Sequence, residues 1–231
     1  MDIDYITVGF TISVWAIPIL LAITLHEAAH GWAAMKLGDP TVKELGRVSF
    51  NPLRHIDPYG TIIIPCMLLL ASGGKMMFRF AKPVPVNFSR LNSPRRDMIL
   101  VAAAGPAMNL ILATIAAAGF YSLFYLDGDV REWVAYNLGN ALWINALLAV
   151  FNMLPIPPSD GGRVAVGLLP WSIGRYLVKL ERTSIFIILG AIFLLPWIGG
   201  IIGLDLDVSG WLVIAPASYI QDLILALVGL G

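Results

Sequence analysis

Long uncharged apolar runs alternate with short polar stretches along this chain. Tyr5 to about Leu37 reads as one continuous helix, long enough to span a bilayer, with Lys36 in its last turn and Gly38 as its stop. A second run, 59–74, is short for a full crossing. A third, 98–126, is uncharged throughout and carries Pro106 as an expected kink. A fourth, 133–159, is also uncharged and ends among Pro155, Pro157 and Pro158, which break the helix at or near membrane depth. Breaks of that kind persist only where the backbone is buried in protein or lines a wet cavity. The run 183–204, with Pro196 and Gly199-Gly200 as bend points, predicts another span. The run 208–231, with Asp222 inside, spans or lies at the interface.

The polar stretches carry their own signals. Residues 41–50 suggest a short hairpin or edge strand, and 51–60 is rich in turn residues. His55 falls in that turn-rich part and reads as polar surface rather than a ligand. The prolines of Ala81-Lys82-Pro83-Val84-Pro85-Val86-Asn87 exclude helix and favour extended backbone. The fold class expected is therefore an all-α polytopic membrane protein. It has about five to six membrane helices or re-entrant segments, with a small β-hairpin or extended edge between the first two. No internal repeat or linker divides it, so 1–231 is expected to be one domain, with a catalytic core over about 5–165 and peripheral helices over about 166–231.

Charge gives the runs a direction. Segment 75–96 carries Lys75, Arg79, Lys82, Arg90, Arg95 and Arg96 and no acidic residue; Arg163, Arg175, Lys179 and Arg182 form a second basic stretch. Asp2, Asp4, Asp127 and Asp129 mark the opposite ends. By the positive-inside rule the basic loops are cytoplasmic. The first and fourth runs then go inward and 98–126 goes outward between them. Segment 38–97 must begin and end on one side, so either 59–74 is re-entrant or it spans and 39–58 also traverses; its short length favours the former.

Composition agrees. Of 231 residues 58% are hydrophobic and only 13% charged, against about 25% charged in soluble domains, and the mean hydropathy is +0.80. An integral membrane protein in a lipid bilayer is expected. The acidic start predicts that the first run is retained rather than cleaved as a signal peptide. The formal net charge of zero gives no nucleic-acid footprint. The single cysteine, Cys66, excludes an internal disulfide framework and a Cys-rich zinc site.

The chemistry lies at the end of the first run, in Leu25-His26-Glu27-Ala28-Ala29-His30. This is H-E-x-x-H, and a four-residue separation puts both imidazoles on one helix face where they can share a metal. Ionisable groups at membrane depth cost about 3 kcal/mol each or more and usually mark function. A catalytic zinc has three protein ligands and an open position. Gly31 to Asp39 supplies no further histidine, so a distant carboxylate must complete the set. Asp160, at the proline break and before Gly161-Gly162, is the expected third ligand. Glu27 is the expected general base, taking a proton from water and returning it to a leaving amine. Asn109 and Asn152 are candidates for holding a substrate carbonyl. Asn145 and Asn152, seven apart, share a helix face.

His26-Glu27-x-x-His30, Gly105-Pro106-x-x-Asn109 and Asn152-x-x-Pro155-x-Pro157-x-x-Asp160-Gly161, in this order and in membrane segments, resemble the site-2 protease family. Asn51-Pro52 to Gly60 and Ala81 to Asn87 are similar to its compact bacterial-type members, without a PDZ insert. The resemblance covers roughly 20–165. It implies one zinc ion on His26, His30 and Asp160, Glu27 as catalytic base, and cleavage of transmembrane protein substrates, often in regulated proteolysis. The bacterial-type pattern points to a plasma membrane location, and the basic loops to a site reached from the cytoplasmic side. In many members a further span precedes the zinc-motif helix; here the zinc-motif helix is expected to be the first span. The alternative class is a catalytically silent zinc-binding scaffold of the same fold, which would be free to lose Glu27. A metal transporter would spread polar residues along several helices, whereas here they cluster at one level.

Overall fold

The computed structural model describes residues 5–44 and 85–231. Helix α1 (Tyr5–Lys36) is unbroken despite Pro18. A proline has no N–H, so the carbonyl four residues earlier, on Val14, loses its helical partner. Asn140 Nδ2 donates to that carbonyl at 3.0 Å, so the break is repaired by a neighbouring helix. The helix stops at Gly38, whose φ of 110° suits glycine. A Cβ there would also lie 2.7 Å from the Asn92 side-chain oxygen.

The hairpin expected over 41–50 is not seen. Thr41–Glu44 is a helical turn, α2, because Asp39 Oδ1 accepts the Thr41 N–H at 3.0 Å and also its hydroxyl. That local cap outweighs strand propensity in so short a segment. No strand occurs among the described residues. Residues 45–50, His55, the run 59–74 and the first part of the proline-rich stretch lie outside them. Residues 85–87 are non-helical, as expected, and lead into a 3-10 turn, Phe88–Arg90, capped by Asn87. This segment is tied to the end of α1. The Asn87 N–H donates to Asp39 Oδ2 at 2.6 Å, and the Asn92 N–H donates to Leu37 O at 2.9 Å.

Helix α3 (Pro94–Gly119) begins on a proline, the favoured first position, and continues through a 3-10 stretch, Phe120–Tyr125. Helix α4 (Gly128–Asn152) follows, then the short α5 (Asp160–Leu168) and α6 (Trp171–Leu189). The expected span 183–204 is shared between the end of α6, a π-helical stretch Gly190–Leu194 and α7 (Leu195–Ile202). A second π stretch, Gly210–Ile214, opens α8 (Ala215–Leu227). Among the described residues four segments are long and apolar enough to cross a membrane: Ile6–Lys36, Pro94–Tyr125, Gly128–Asn152 and Gly210–Leu227.

Helices α1, α3 and α4 pack on one another, with α5 against α3 and α8 against α4. Pairings give the directions. Ser13 meets Trp133 and Val14 meets Asn140 near the starts of α1 and α4, whereas His30 meets Asp160, just past the end of α4, so numbers rise together and α1 runs parallel to α4. His26 meets Asn109 whereas His30 meets Val101, so α3 runs the other way. This is the order that the loop charges require. The helix contacts are built on small side chains: Ala113, Ala116 and Ala117 with Leu142 and Ile224 in one cluster, Ala33 and Ala34 with Leu91 and Val101 in another. Lipid offers no hydrophobic drive between helices, so close approach of small residues carries the packing. Large apolar side chains such as Ile6, Ile12, Ile115 and Phe124 face outward.

Candidate metal centre

The last turns of α1 present His26 and His30 side by side, ring centroids 4.6 Å apart and nearly perpendicular. Their Nε2 atoms are 3.0 Å apart. Asp160 Oδ2 lies 3.2 Å from His26 Nε2 and 3.3 Å from His30 Nε2. All three residues are buried, each 7% exposed. Glu27 is half-buried on the same turn as the histidines.

The loop after α4 brings Asp160 to this point. Ser159 caps α5, accepting the Gly162 N–H at 3.3 Å, while its hydroxyl reaches the Leu154 carbonyl at 2.6 Å. The loop doubles back so tightly that a Cβ on Gly161 would sit 2.2 Å from Met153 O, and one on Gly162 2.3 Å from Pro157 N. Only glycine fits at either place. At its far end α5 is held by Arg95 of α3, whose Nε donates to Gly167 O at 2.9 Å and whose guanidinium also reaches Leu169 O. Asp160 in the first turn of α5 is favoured by the helix dipole.

Helix α3 forms the floor. A Cβ on Gly105 would stand 2.3 Å from His30 Nε2 and 2.6 Å from His26 Cε1, so the two imidazoles occupy the space a side chain there would need. The same helix sets the histidine tautomers. His30 Nδ1 donates to the Val101 carbonyl at 2.7 Å, and His26 Nδ1 donates to Asn109 Oδ1 at 2.5 Å. Carbonyl oxygens only accept, so each Nδ1 carries the proton and each Nε2 is left with a lone pair. Two lone pairs and a carboxylate oxygen thus converge within 3.0–3.3 Å. In an apolar surround that arrangement is repulsive without a cation. Tetrahedral ligands about 2.0–2.1 Å from zinc stand roughly 3.3 Å from each other. The donor set and its spacing fit a zinc ion with one position open.

The asparagines divide. Asn109 is fully buried, and its Nδ2 donates to Ala22 O at 3.2 Å and to Asn145 Oδ1 at 2.8 Å. With Oδ1 on His26, its amide is fully engaged, which leaves it no atom for the substrate carbonyl suggested by the sequence. Asn152 is half-buried at the end of α4 and donates to Leu148 O at 3.0 Å. Its face-mate Asn145 is instead buried against α3, where its Oδ1 accepts from Asn109. Sequence reasoning did not find the Val101 carbonyl or the floor role of Gly105. The glycine had a signal, since it lies one turn before Asn109, but the carbonyl had none.

The chain matches peptidase family M50 over residues 14–136 and 126–197. It belongs to that family. The M50 chain is 37% identical over 187 residues to a Bacillus subtilis (strain 168) protein named "Putative zinc metalloprotease YwhC", covering 78% of this chain and 80% of that protein. It is 31% identical over 195 residues to the Mycobacterium tuberculosis (strain H37Rv) protein named "Putative zinc metalloprotease Rip2", covering 83% of this chain and 72% of that one. No solved structure matches. The M50 peptidase is a member of the site-2 protease family, a metalloprotease and an integral membrane protein.

Proposed function

We propose that this M50 peptidase hydrolyses peptide bonds within transmembrane segments of membrane proteins, in regulated proteolysis, using one zinc ion held by His26, His30 and Asp160. One observation carries the reading: two Nε2 lone pairs and a carboxylate oxygen face one another at 3.0–3.3 Å, with both Nδ1 protons fixed away from that point. When bound, zinc supplies Lewis acidity, polarising a carbonyl and acidifying water. Glu27, next to His26, takes the proton of the attacking water and delivers it to the leaving amine. Burial of the three ligands keeps bulk water out and strengthens each charge interaction. A substrate helix shields its own carbonyls, so it must unwind locally. The non-helical residues 85–87 offer backbone for it to pair with. Asn152, beside the loop that carries Asp160, is the amide assigned to a substrate carbonyl.

The site lies at the end of the molecule that carries Lys36, Arg95 and Arg163, and Asp127 and Asp129 mark the other end. With the positive-inside rule this supports access from the cytoplasmic side of a bacterial plasma membrane.

The test is the zinc content of purified protein together with cleavage of a model transmembrane peptide. Wild type holds about one zinc and cleaves. Glu27→Gln keeps the zinc and loses cleavage by at least about a hundredfold, the usual scale for a general base. Asp160→Ala loses both. Equal cleavage by wild type and Glu27→Gln overturns the mechanism. Zinc in a wild type that cleaves nothing points to a silent scaffold instead.

A further inference from the structure

We infer that Asn145 is a positioning residue for the metal centre, acting on His26 through Asn109; this rests on the zinc reading above. Asn145 is 3% exposed, and its side chain bonds to Asn109 and Ala141 rather than to any of the three ligands. Its Nδ2 donates to its own helix at Ala141 O, 2.8 Å away, which turns Oδ1 toward α3. There it accepts from Asn109 Nδ2 at 2.8 Å. The second Asn109 N–H goes to Ala22 O on α1 at 3.2 Å, and Asn109 Oδ1 receives the His26 Nδ1 proton.

The chain of amides has one direction. Ala141 O and Ala22 O are backbone carbonyls and can only accept, so flipping either asparagine would set oxygen against oxygen. No bulk water at this depth can substitute for a lost partner. The relay therefore fixes the Asn109 orientation, and Asn109 fixes the tautomer of His26. Without Asn145, the Asn109 amide loses one of the two acceptors that orient it. A flipped Asn109 offers N–H to His26 Nδ1 and moves the imidazole proton to Nε2, where the metal needs a lone pair. Partners of ligating histidines commonly set metal affinity in this way.

A plain helix-to-helix hydrogen bond is the competing role, and the fold supplies a matched control. Asn140 on the same helix donates to Val14 O of α1 at 3.0 Å and is not part of the relay. The experiment uses the full chain, stripped of metal, in detergent. Zinc is titrated against a chromophoric chelator, and thermal melting of the metal-free protein is followed in parallel. Asn145→Leu is expected to weaken zinc binding about 10–100-fold, the range for lost partners of ligating histidines. Asn145→Asp, whose carboxyl oxygen still accepts from Asn109 Nδ2, is expected to stay within about threefold of wild type. Asn140→Leu is expected to lower the melting temperature and leave zinc affinity unchanged. The ¹⁵N shifts of His26 in metal-free protein should report a protonated Nδ1 in wild type and a mixture in Asn145→Leu. If that variant does not fold, Asn145→Ala carries the same expectation. Wild-type affinity in Asn145→Leu and Asn145→Ala, or equal weakening by Asn140→Leu, overturns the inference and leaves the zinc reading standing. A wild type that binds no zinc overturns both.

Discussion

At Gly105 the requirement for one residue type is a matter of ångströms. The imidazoles of His26 and His30 rest where a Cβ would be, at 2.6 and 2.3 Å from it. Gly105→Ala must displace at least one ring from its place in the ligand set. Overpacking of this kind costs about 1–3 kcal/mol, and here it falls on the ligands themselves. The expected outcome is loss of bound zinc, measured by metal analysis of the purified variant. Gly139 provides the comparison, because a Cβ there meets only Phe120 Cζ at 4.0 Å. Gly139→Ala should keep its zinc and gain about 0.5–1 kcal/mol from the better helix former. A Gly105→Ala protein with full zinc content would show that α3 does not form the floor.

Among the elements, the joint between α1 and the segment before α3 depends on Asp39. Burial pushes its carboxyl pKa up, but hydrogen bonds from the Thr41 hydroxyl and N–H and the Asn87 N–H, with the Arg90 cation nearby, outweigh burial and hold it below the usual carboxylate value. A carboxyl with a depressed folded pKa contributes stability that is complete above its unfolded value of about 3.9. That contribution is lost as pH falls through the lower folded value. Thermal melts should therefore show Asp39→Ala less stable than wild type at neutral pH, with the difference shrinking below about pH 4. An unchanged difference across that range would mean that the Asp39 charge does not hold the joint. The joint also explains why a hairpin was expected and a helical turn found. Thr41 and Val42 are good strand residues, but the Asp39 side chain caps the turn before any partner strand is in reach.

For the whole molecule, the direction of the spans is the property on which cytoplasmic access depends. In a background where the single cysteine, Cys66, is replaced by serine, cysteines at exposed positions 129 and 175 report the two sides. Asp129→Cys should react with a membrane-impermeant thiol reagent in intact cells, and Arg175→Cys only after permeabilisation. The reverse pattern would put the metal centre near the outer surface. The same parallel arrangement of α1 and α4 was readable beforehand, since His30 and Asp160 each end an apolar run and must meet at one depth to share a metal, with which the loop charges agree.

The sequence by itself determined the membrane class and the order and relative direction of the main helices, and it singled out His26, Glu27, His30 and Asp160 as candidates, of which the structure brings His26, His30 and Asp160 together. Those features are local: a four-residue spacing fixes a helix face, run length fixes a span, and loop charge fixes a side. Tertiary structure alone decided which helix faces meet. That choice brought Asn109 to His26 across 83 positions, aimed the Val101 carbonyl at His30, put Gly105 beneath both rings, and turned Asn145 inward while its face-mate Asn152 stayed at the helix end. Small-residue packing between helices sets these contacts, and no periodicity along one chain records the partner it will pack against.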